Sequence, residues 1–127
     1  MALPKVKRGE IWLVNLNPPG PVEEIAKNDR PCLVIQNDLI NQAGYSTTII
    51  IPCTTSTYRD GQGDGSPFKV NIGLIQKPGQ KPEDTDAFVT GLRAISNSRF
   101  KGDQPIGILG RNYMKRIEDA LKLVLGM

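Results

Sequence analysis

The sequence predicts a mainly β fold, a small and partly open β-barrel followed by one C-terminal α-helix. Short apolar runs rich in β-branched residues recur along the chain, which is typical of strands. Clusters of turn-forming residues separate these runs, and the 127 residues include 10 Pro and 13 Gly. Only the C-terminal segment shows apolar residues at helical spacing. The length fits one domain over residues 1–127.

Strands are expected where apolar or alternating runs lie between turn signals, at residues 10–16, 31–36, 46–53, 67–72, 87–95 and 106–109. The run at 31–36 is continuously apolar, which predicts burial on both faces. Short helical turns are expected at residues 38–42 and 96–100, and a Pro/Gly/Lys turn region at 77–84. Residues 54–66 are polar and glycine-rich, so we expect a loop there that contributes to substrate choice.

The C-terminal helix is predicted to begin at Asn112, whose side chain is a good N-cap. Met114, Ile117, Leu121 and Val124 recur at helical spacing, with charged residues between them. This pattern predicts an amphipathic helix that packs one face on the barrel.

Composition excludes several classes of enzyme. The chain has no histidine, which excludes Ser-His-Asp and Cys-His sites, paired-histidine ribonuclease chemistry and His-ligated zinc. Cys32 and Cys53 lie in apolar runs and are expected to be buried, reduced thiols. The net charge of +3 mildly favours a polyanionic partner. With no signal-peptide core and no apolar run of about 20 residues, the expected location is cytoplasmic, without a membrane partner.

Three segments together resemble the MazF/PemK family of toxins, in order and in spacing. They are residues 8–18 (RGEIWLVNLNP), 29–38 (DRPCLVIQND) and 51–56 (IPCTTS), the last followed after a loop by 66–70 (SPFKV). The later stretch 92–100 (LRAISNSRF) is similar to a more variable segment of the family. The resemblance extends from about Lys7 into the last helix. It implies an SH3-like barrel with a C-terminal helix, as in PemK, Kid and CcdB.

The resemblance also implies an activity and its partners. Members of this family pair as homodimers and cut single-stranded RNA, including mRNA, at short sequence motifs. They leave a 2′,3′-cyclic phosphate and a 5′-hydroxyl and need no metal or other cofactor. A cognate antitoxin, similar to MazE, inserts an acidic C-terminal tail into the toxin groove and silences it.

The residues that match the family's catalytic positions are Arg30 and Thr54. Glu24 is the nearest match to the family's loop glutamate and Glu23 is its rival, because this loop has one extra residue and lacks the family's glycine. An arginine fork suits phosphate oxygens, and a hydroxyl at a strand end supplies a second donor. Whether the base is Glu24 or Arg30 stays open, since arginine normally stays protonated.

Further RNA contacts are expected from hydroxyls after the third strand and from two later arginines, namely Thr55, Ser56, Arg93 and Arg99. Trp12 and Phe68 could stack on RNA bases. They could instead pack in the core or at a dimer contact, and this packing interpretation is favoured. Lys69 is expected on a solvated face.

Three other functions fit parts of the sequence. An SH3-like module that binds RNA or protein without chemistry needs no catalytic pair, and a gyrase-directed toxin uses a related fold. A metal-dependent nuclease is the third alternative, but its carboxylates are scattered along the chain and form no ligand motif.

Overall fold

The computed structural model describes residues 5–16, 29–55 and 68–127. Within these ranges the chain forms an eight-stranded antiparallel sheet and a long C-terminal helix. The strands are β1 (Glu10–Val14), β2 (Arg30–Val34), β3 (Thr47–Thr55), β4 (Lys69–Ile75), β5 (Glu83–Phe88), β6 (Arg93–Ser96), β7 (Phe100–Lys101) and β8 (Gly107–Ile108). The helices are α1 (Asp38–Gln42) and α2 (Arg111–Leu125), and 3₁₀ turns lie at Val89–Gly91 and Asn97–Arg99.

The sheet curls around β3, its longest strand. The strand order is β4-β5-β3-β2-β1-β7, with β6 also beside β3 and β8 also beside β1. The first half of β3 pairs with β6 and its last three residues pair with β5, while β2 pairs along the other edge. In the described part of the chain β4 and β7 do not pair with each other, so the barrel is partly open. The predicted fold class is confirmed.

Two apolar clusters cover the two faces of the central strands. The helix-side cluster lies under α2 and includes Ile11, Leu33, Ile51, Ile72, Met114 and Ile117. The opposite cluster includes Trp12, Val14, Cys32, Val34, Ile50 and Phe100. Successive residues of β1, β2 and β3 alternate between the clusters, which confirms the expected burial of β2 on both faces.

Trp12 belongs to the core. Its side chain is 2% exposed, its ring meets Phe100 edge-on at 5.7 Å, and its indole N–H donates to Glu10 at 2.9 Å. The base-stacking interpretation of Trp12 is therefore wrong.

Several predicted boundaries were wrong around the end of β3. This strand continues through Thr55, where a loop was expected, because β5 pairs with its last residues. The expected turn region at 77–84 ends earlier, since β5 begins at Glu83. The 3₁₀ turn at Val89–Gly91 interrupts the expected strand at 87–95 and leads the chain from β5 to β6 along the same edge of β3.

The C-terminal helix begins one residue before the predicted cap. Gly110 occupies the cap position and accepts a hydrogen bond from the Met114 N–H at 3.0 Å, so the prediction for Asn112 was wrong. Met114, Ile117 and Ala120 are buried against the barrel, as amphipathic spacing requires. None of the helices seen in the described ranges has the length and apolar character needed to cross a membrane.

Candidate active site

A row of four polar side chains crosses the sheet at the C-terminal end of β3. Thr54 pairs with Asp86 of β5, which in turn pairs with Asn71 of β4. On the other side, β2 pairs with β3 as far as Cys32 and Pro52, and Arg30 and Thr54 each lie two residues beyond that pair and line the same cavities. Because paired residues project to the same face of a sheet, these four side chains form one polar row.

The two halves of the polar row differ in how they are bonded. The Asn71 amide donates to Asp86 at 3.1 Å and to Asp84 at 2.9 Å, and Asp86 is 8% exposed. By contrast, no hydrogen bond or ion pair joins the side chain of Arg30 or Thr54 to another described residue. Arg30 is exposed and Thr54 is partly exposed, so neither side chain needs a protein partner and both are accessible to a ligand.

Two cavities flank this pair, and both Arg30 and Thr54 line each of them. The first, here called the polar cavity, has a volume of about 170 Å³. Its other polar side chains are Asp29, Thr55, Lys77, Glu83 and Thr85. The second, here called the apolar groove, has a volume of about 380 Å³ and is also lined by Leu16, Pro52, Cys53, Lys69 and Phe88.

Arg93 and Arg99 hold the chain that follows β1. The Arg93 guanidinium donates to the Leu16 carbonyl at 3.1 Å, and that of Arg99 donates to the Asn15 carbonyl at 2.9 Å. Leu16 lines the apolar groove, so Arg93 lies beside the candidate site. Both arginines therefore have a structural role, in addition to the RNA contacts expected from the sequence.

The buried thiols report on the local charge. Cys32 and Cys53 are almost fully buried, and this burial raises the pKa of both, that of Cys32 to about 12. The charges of Arg93 and Arg30 oppose this effect at Cys32. The packing interpretation of Cys53 is confirmed, because a buried neutral thiol is a poor nucleophile.

The structure brings together three of the residues that the sequence singled out, Arg30, Thr54 and Thr55. Glu24, its rival Glu23 and Ser56 lie outside the described residues, as does most of the glycine-rich loop. Their roles stay predictions.

Other expectations about surface residues change. Phe68 is 41% exposed and does not belong to the core. Lys69 is half-buried at the apolar groove, where a fully solvated side chain was expected. In the described ranges, no three Cys, Asp or Glu side chains lie close enough together to hold a metal ion.

Sequence reasoning missed the contribution of β5 and of the turn before it. Lys77, Glu83 and Thr85 line the polar cavity, and Asp86 adjoins Thr54 in the polar row. The local sequence gave no sign that these residues line the site, because the composition of residues 77–84 predicts a turn. Only the long-range register between β3 and β5 places these side chains at the site.

Comparisons with known proteins agree with this architecture. Residues 7–125 match the model of the PemK-like, MazF-like toxins of type II toxin–antitoxin systems. Endoribonuclease MazF9 of Mycobacterium tuberculosis is 29% identical over 126 residues, which cover 96% of this chain and 98% of that protein.

Solved structures share the fold. The Mycobacterium tuberculosis toxin MazF-mt6 superposes with a TM-score of 0.66 at 14% identity, over 93% of this chain and 97% of that one. The MazE–MazF structure (Form-II) from Deinococcus radiodurans gives a TM-score of 0.63 at 16% identity, over 96% of both chains. With the family model matching nearly its whole length, the chain belongs to the PemK-like, MazF-like family of type II toxins.

Proposed function

We propose that this chain is a sequence-specific endoribonuclease that cuts single-stranded RNA, including mRNA, without a metal ion. The observation that carries the proposal is that Arg30 and Thr54, whose side chains bond to no other described residue, together line two cavities at the end of β3. The enzyme class, an endoribonuclease, agrees with the family and with the name of the mycobacterial relative. We treat residues 1–127 as one toxin domain.

The reaction uses the RNA's own 2′-hydroxyl. Its oxygen gives up its proton to a base and attacks the adjacent phosphorus, the bond to the 5′-oxygen breaks, and that oxygen takes up a proton from water, which leaves a 2′,3′-cyclic phosphate and a 5′-hydroxyl. Negative charge grows on the non-bridging oxygens as the phosphorane forms. The planar fork of Arg30 donates two hydrogen bonds to these oxygens, and Thr54 donates a third.

The proton acceptor in this proposal is Glu24, with Glu23 as the alternative. Arg30 stays protonated and serves as a donor. Asp86 is the described carboxylate next to Thr54 in the polar row, but it is only 8% exposed and already accepts from Asn71. We therefore assign Asp86 to joining β5 to β4 beside the site, rather than to proton transfer.

RNA flanking the cut contacts the hydroxyls after Thr54 and the basic side chains beside the groove, namely Thr55, Ser56, Arg93 and Arg99. The chain acts in the cytoplasm as a homodimer and is silenced by an antitoxin with an acidic C-terminal tail. Structures of MazF with MazE from Deinococcus radiodurans share the fold and support a protein partner of this kind. The net charge of +3 fits both an RNA and an acidic tail.

The test is to incubate the protein, with EDTA present, with a mixed-sequence single-stranded RNA and to map the fragment ends. We expect discrete cuts with 5′-hydroxyl ends. Arg30→Ala should cut about 10²–10³-fold more slowly, the usual effect of removing one preorganised donor. Arg111→Ala is the matched control, because Arg111 is exposed at the start of α2 and lines neither cavity.

Each failure has a distinct meaning. RNA that is bound but left intact by the wild-type protein would identify a non-catalytic binding module. Cuts that appear only after EDTA is replaced by a divalent cation would identify a metal-dependent nuclease. Cuts of equal rate in Arg30→Ala would remove Arg30 from the mechanism.

A further inference from the structure

The polar cavity has the size of a single ring system. Its volume of about 170 Å³ lies below the roughly 300–1,000 Å³ of pockets that take drug-sized ligands. Since Arg30 and Thr54 line it, a ring bound there adjoins the phosphate that these two residues hold. A nucleobase of the RNA next to the scissile bond meets both conditions.

The charged groups around this cavity have no charged partner among the described residues. Asp29 and Glu83 supply carboxylates from two different segments, and Lys77 and Arg30 supply cations. Within the described residues none of the four side chains forms an ion pair or a hydrogen bond. Thr85 is the exception among the polar residues here, because its hydroxyl donates to the Glu83 carbonyl at 2.8 Å. Two carboxylates and two cations around one cavity offer acceptors and donors to a ligand that carries both.

Guanine matches these groups better than the other three bases. Its Watson–Crick edge presents two adjacent N–H donors, N1 and N2, and a carboxylate accepts such a pair through both oxygens. Its O6 and N7 are acceptors that a lysine or arginine reads. Adenine and cytosine place an acceptor beside their amino group, which a carboxylate repels, and uracil has one N–H between two carbonyl groups.

Resting on the proposed function, we propose that the polar cavity binds the base beside the scissile phosphate and selects guanine. Glu83 accepts from N1 and N2 of the base, and Lys77 donates to its acceptor edge. The apolar groove has no carboxylate among its described lining residues, so we assign base selection to the polar cavity. Glu83 is then a specificity residue, whereas Arg30 and Thr54 are needed for any cut.

The experiment compares cleavage sites in a randomised single-stranded RNA for the wild-type protein, Glu83→Gln and Asp119→Asn. Glutamine keeps the shape of Glu83 but turns one acceptor into a donor, which opposes the guanine N–H groups. Asp119 is an exposed carboxylate on α2 and provides the matched loss of charge away from the cavity. The thermal midpoints of the three proteins check that all of them fold.

We expect guanine to be enriched at a position flanking the cut by the wild-type protein and by Asp119→Asn. In Glu83→Gln this enrichment should fall about tenfold, within the discrimination that one bidentate side chain–base pair provides. Cuts by the wild-type protein with no guanine at either flanking position, or an unchanged preference in Glu83→Gln, would overturn the cavity proposal and leave the proposed function intact.

A nucleotide-binding measurement tests the polar cavity separately, in case the protein cuts no RNA. If the wild-type protein cuts no RNA, guanosine 3′-monophosphate and uridine 3′-monophosphate are titrated into the protein. Tighter binding of the guanosine nucleotide, lost in Glu83→Gln, would support the cavity as a base site without cleavage. Equal binding of the two nucleotides, or a preference that Glu83→Gln retains, would overturn it.

Discussion

Polar side chains on and beside the two ends of β3 differ in burial and in how they are bonded. At its beginning, Thr48 is 1% exposed and its hydroxyl donates to Asn97 at 2.6 Å, while the buried amide of Gln36 is bonded through both of its polar atoms. At its end, the side chains of Arg30 and Thr54 bond to no other described residue. One end of the strand is internally satisfied and the other is not.

We expect the bonded end of β3 to contribute to folding and the other end to contribute to function. Leaving a buried polar group without a partner costs about 1–3 kcal/mol, so the bonded network at the start of β3 supports the fold. Arg30 is exposed and Thr54 is partly exposed, so neither loses stability for want of a protein partner, and we expect their substitution to affect the reaction rather than the fold. Substitutions at the two ends should therefore affect different measurements.

Among substitutions that keep the charge or the shape of a side chain, the largest effect is expected for Arg30→Lys. Lysine keeps the charge but loses the planar fork that binds two phosphate oxygens at once. We expect cleavage to slow about 10–100-fold, the equivalent of one hydrogen bond to a charged group, with an unchanged thermal midpoint. Initial rates on one RNA substrate measure this, and a rate equal to wild type would show that charge alone suffices at this position.

At the opposite end, Gln36→Leu should destabilise the fold and leave the site intact. Gln36 donates to Asn41 at 2.9 Å and to the Thr47 carbonyl at 3.1 Å, and it accepts from the Ile49 N–H at 3.2 Å. Losing these bonds should lower the free energy of unfolding by roughly 1–3 kcal/mol. Urea unfolding measures the loss, while the cleavage rate per folded molecule should not change. Slower RNA cleavage by Gln36→Leu at unchanged stability would contradict the assignment of this end of β3 to folding alone.

A smaller effect is expected from the buried thiols at alkaline pH. Burial raises the pKa of Cys32 from 9.0 to about 12 and also raises that of Cys53. Above pH 9 the unfolded chain loses these protons first, so the stability they confer is complete below pH 9 and is lost as the pH rises towards 12. Each thiol contributes up to about 1.4 kcal/mol per pH unit there.

The control for the thiols is the double variant Cys32→Ala, Cys53→Ala. Alanine removes both titrations, so the free energy of unfolding of this variant should fall less steeply between pH 9 and 11 than that of the wild-type protein. Parallel pH profiles for the two proteins would show that the thiols do not remain protonated in the folded state.

The sequence predicted the fold through local patterns that tertiary contacts did not override. Continuous apolar runs marked β2 and the body of β3, and helical spacing marked α2. The predicted strand boundaries were wrong where pairing with a distant strand decided them. Thr55, for example, belongs to β3 because β5 pairs with it. The predicted start of α2 was wrong because Gly110, which has no side chain to signal a cap, occupies the N-cap position.

The candidate site was predicted in part for the same reason. Arg30 and Thr54 stood out through a resemblance carried by contiguous segments, and the sheet places them level with each other. Glu83 and Lys77 did not stand out, since nothing in a turn-like stretch shows which cavity its side chains line. The register between β3 and β5 supplies that information, and a single sequence does not contain it.

The most direct test makes the same Thr→Val substitution at each end of β3, because we assign one end to stability and the other to catalysis. Thr48→Val and Thr54→Val each replace a hydroxyl by a methyl group, and both variants are measured for urea stability and for RNA cleavage. We predict that Thr48→Val loses roughly 1–3 kcal/mol of stability at a normal rate per folded molecule, whereas Thr54→Val cuts at least about tenfold more slowly at normal stability. Equal losses of stability with unchanged cleavage in both variants would contradict the assignment of the end of β3 to catalysis.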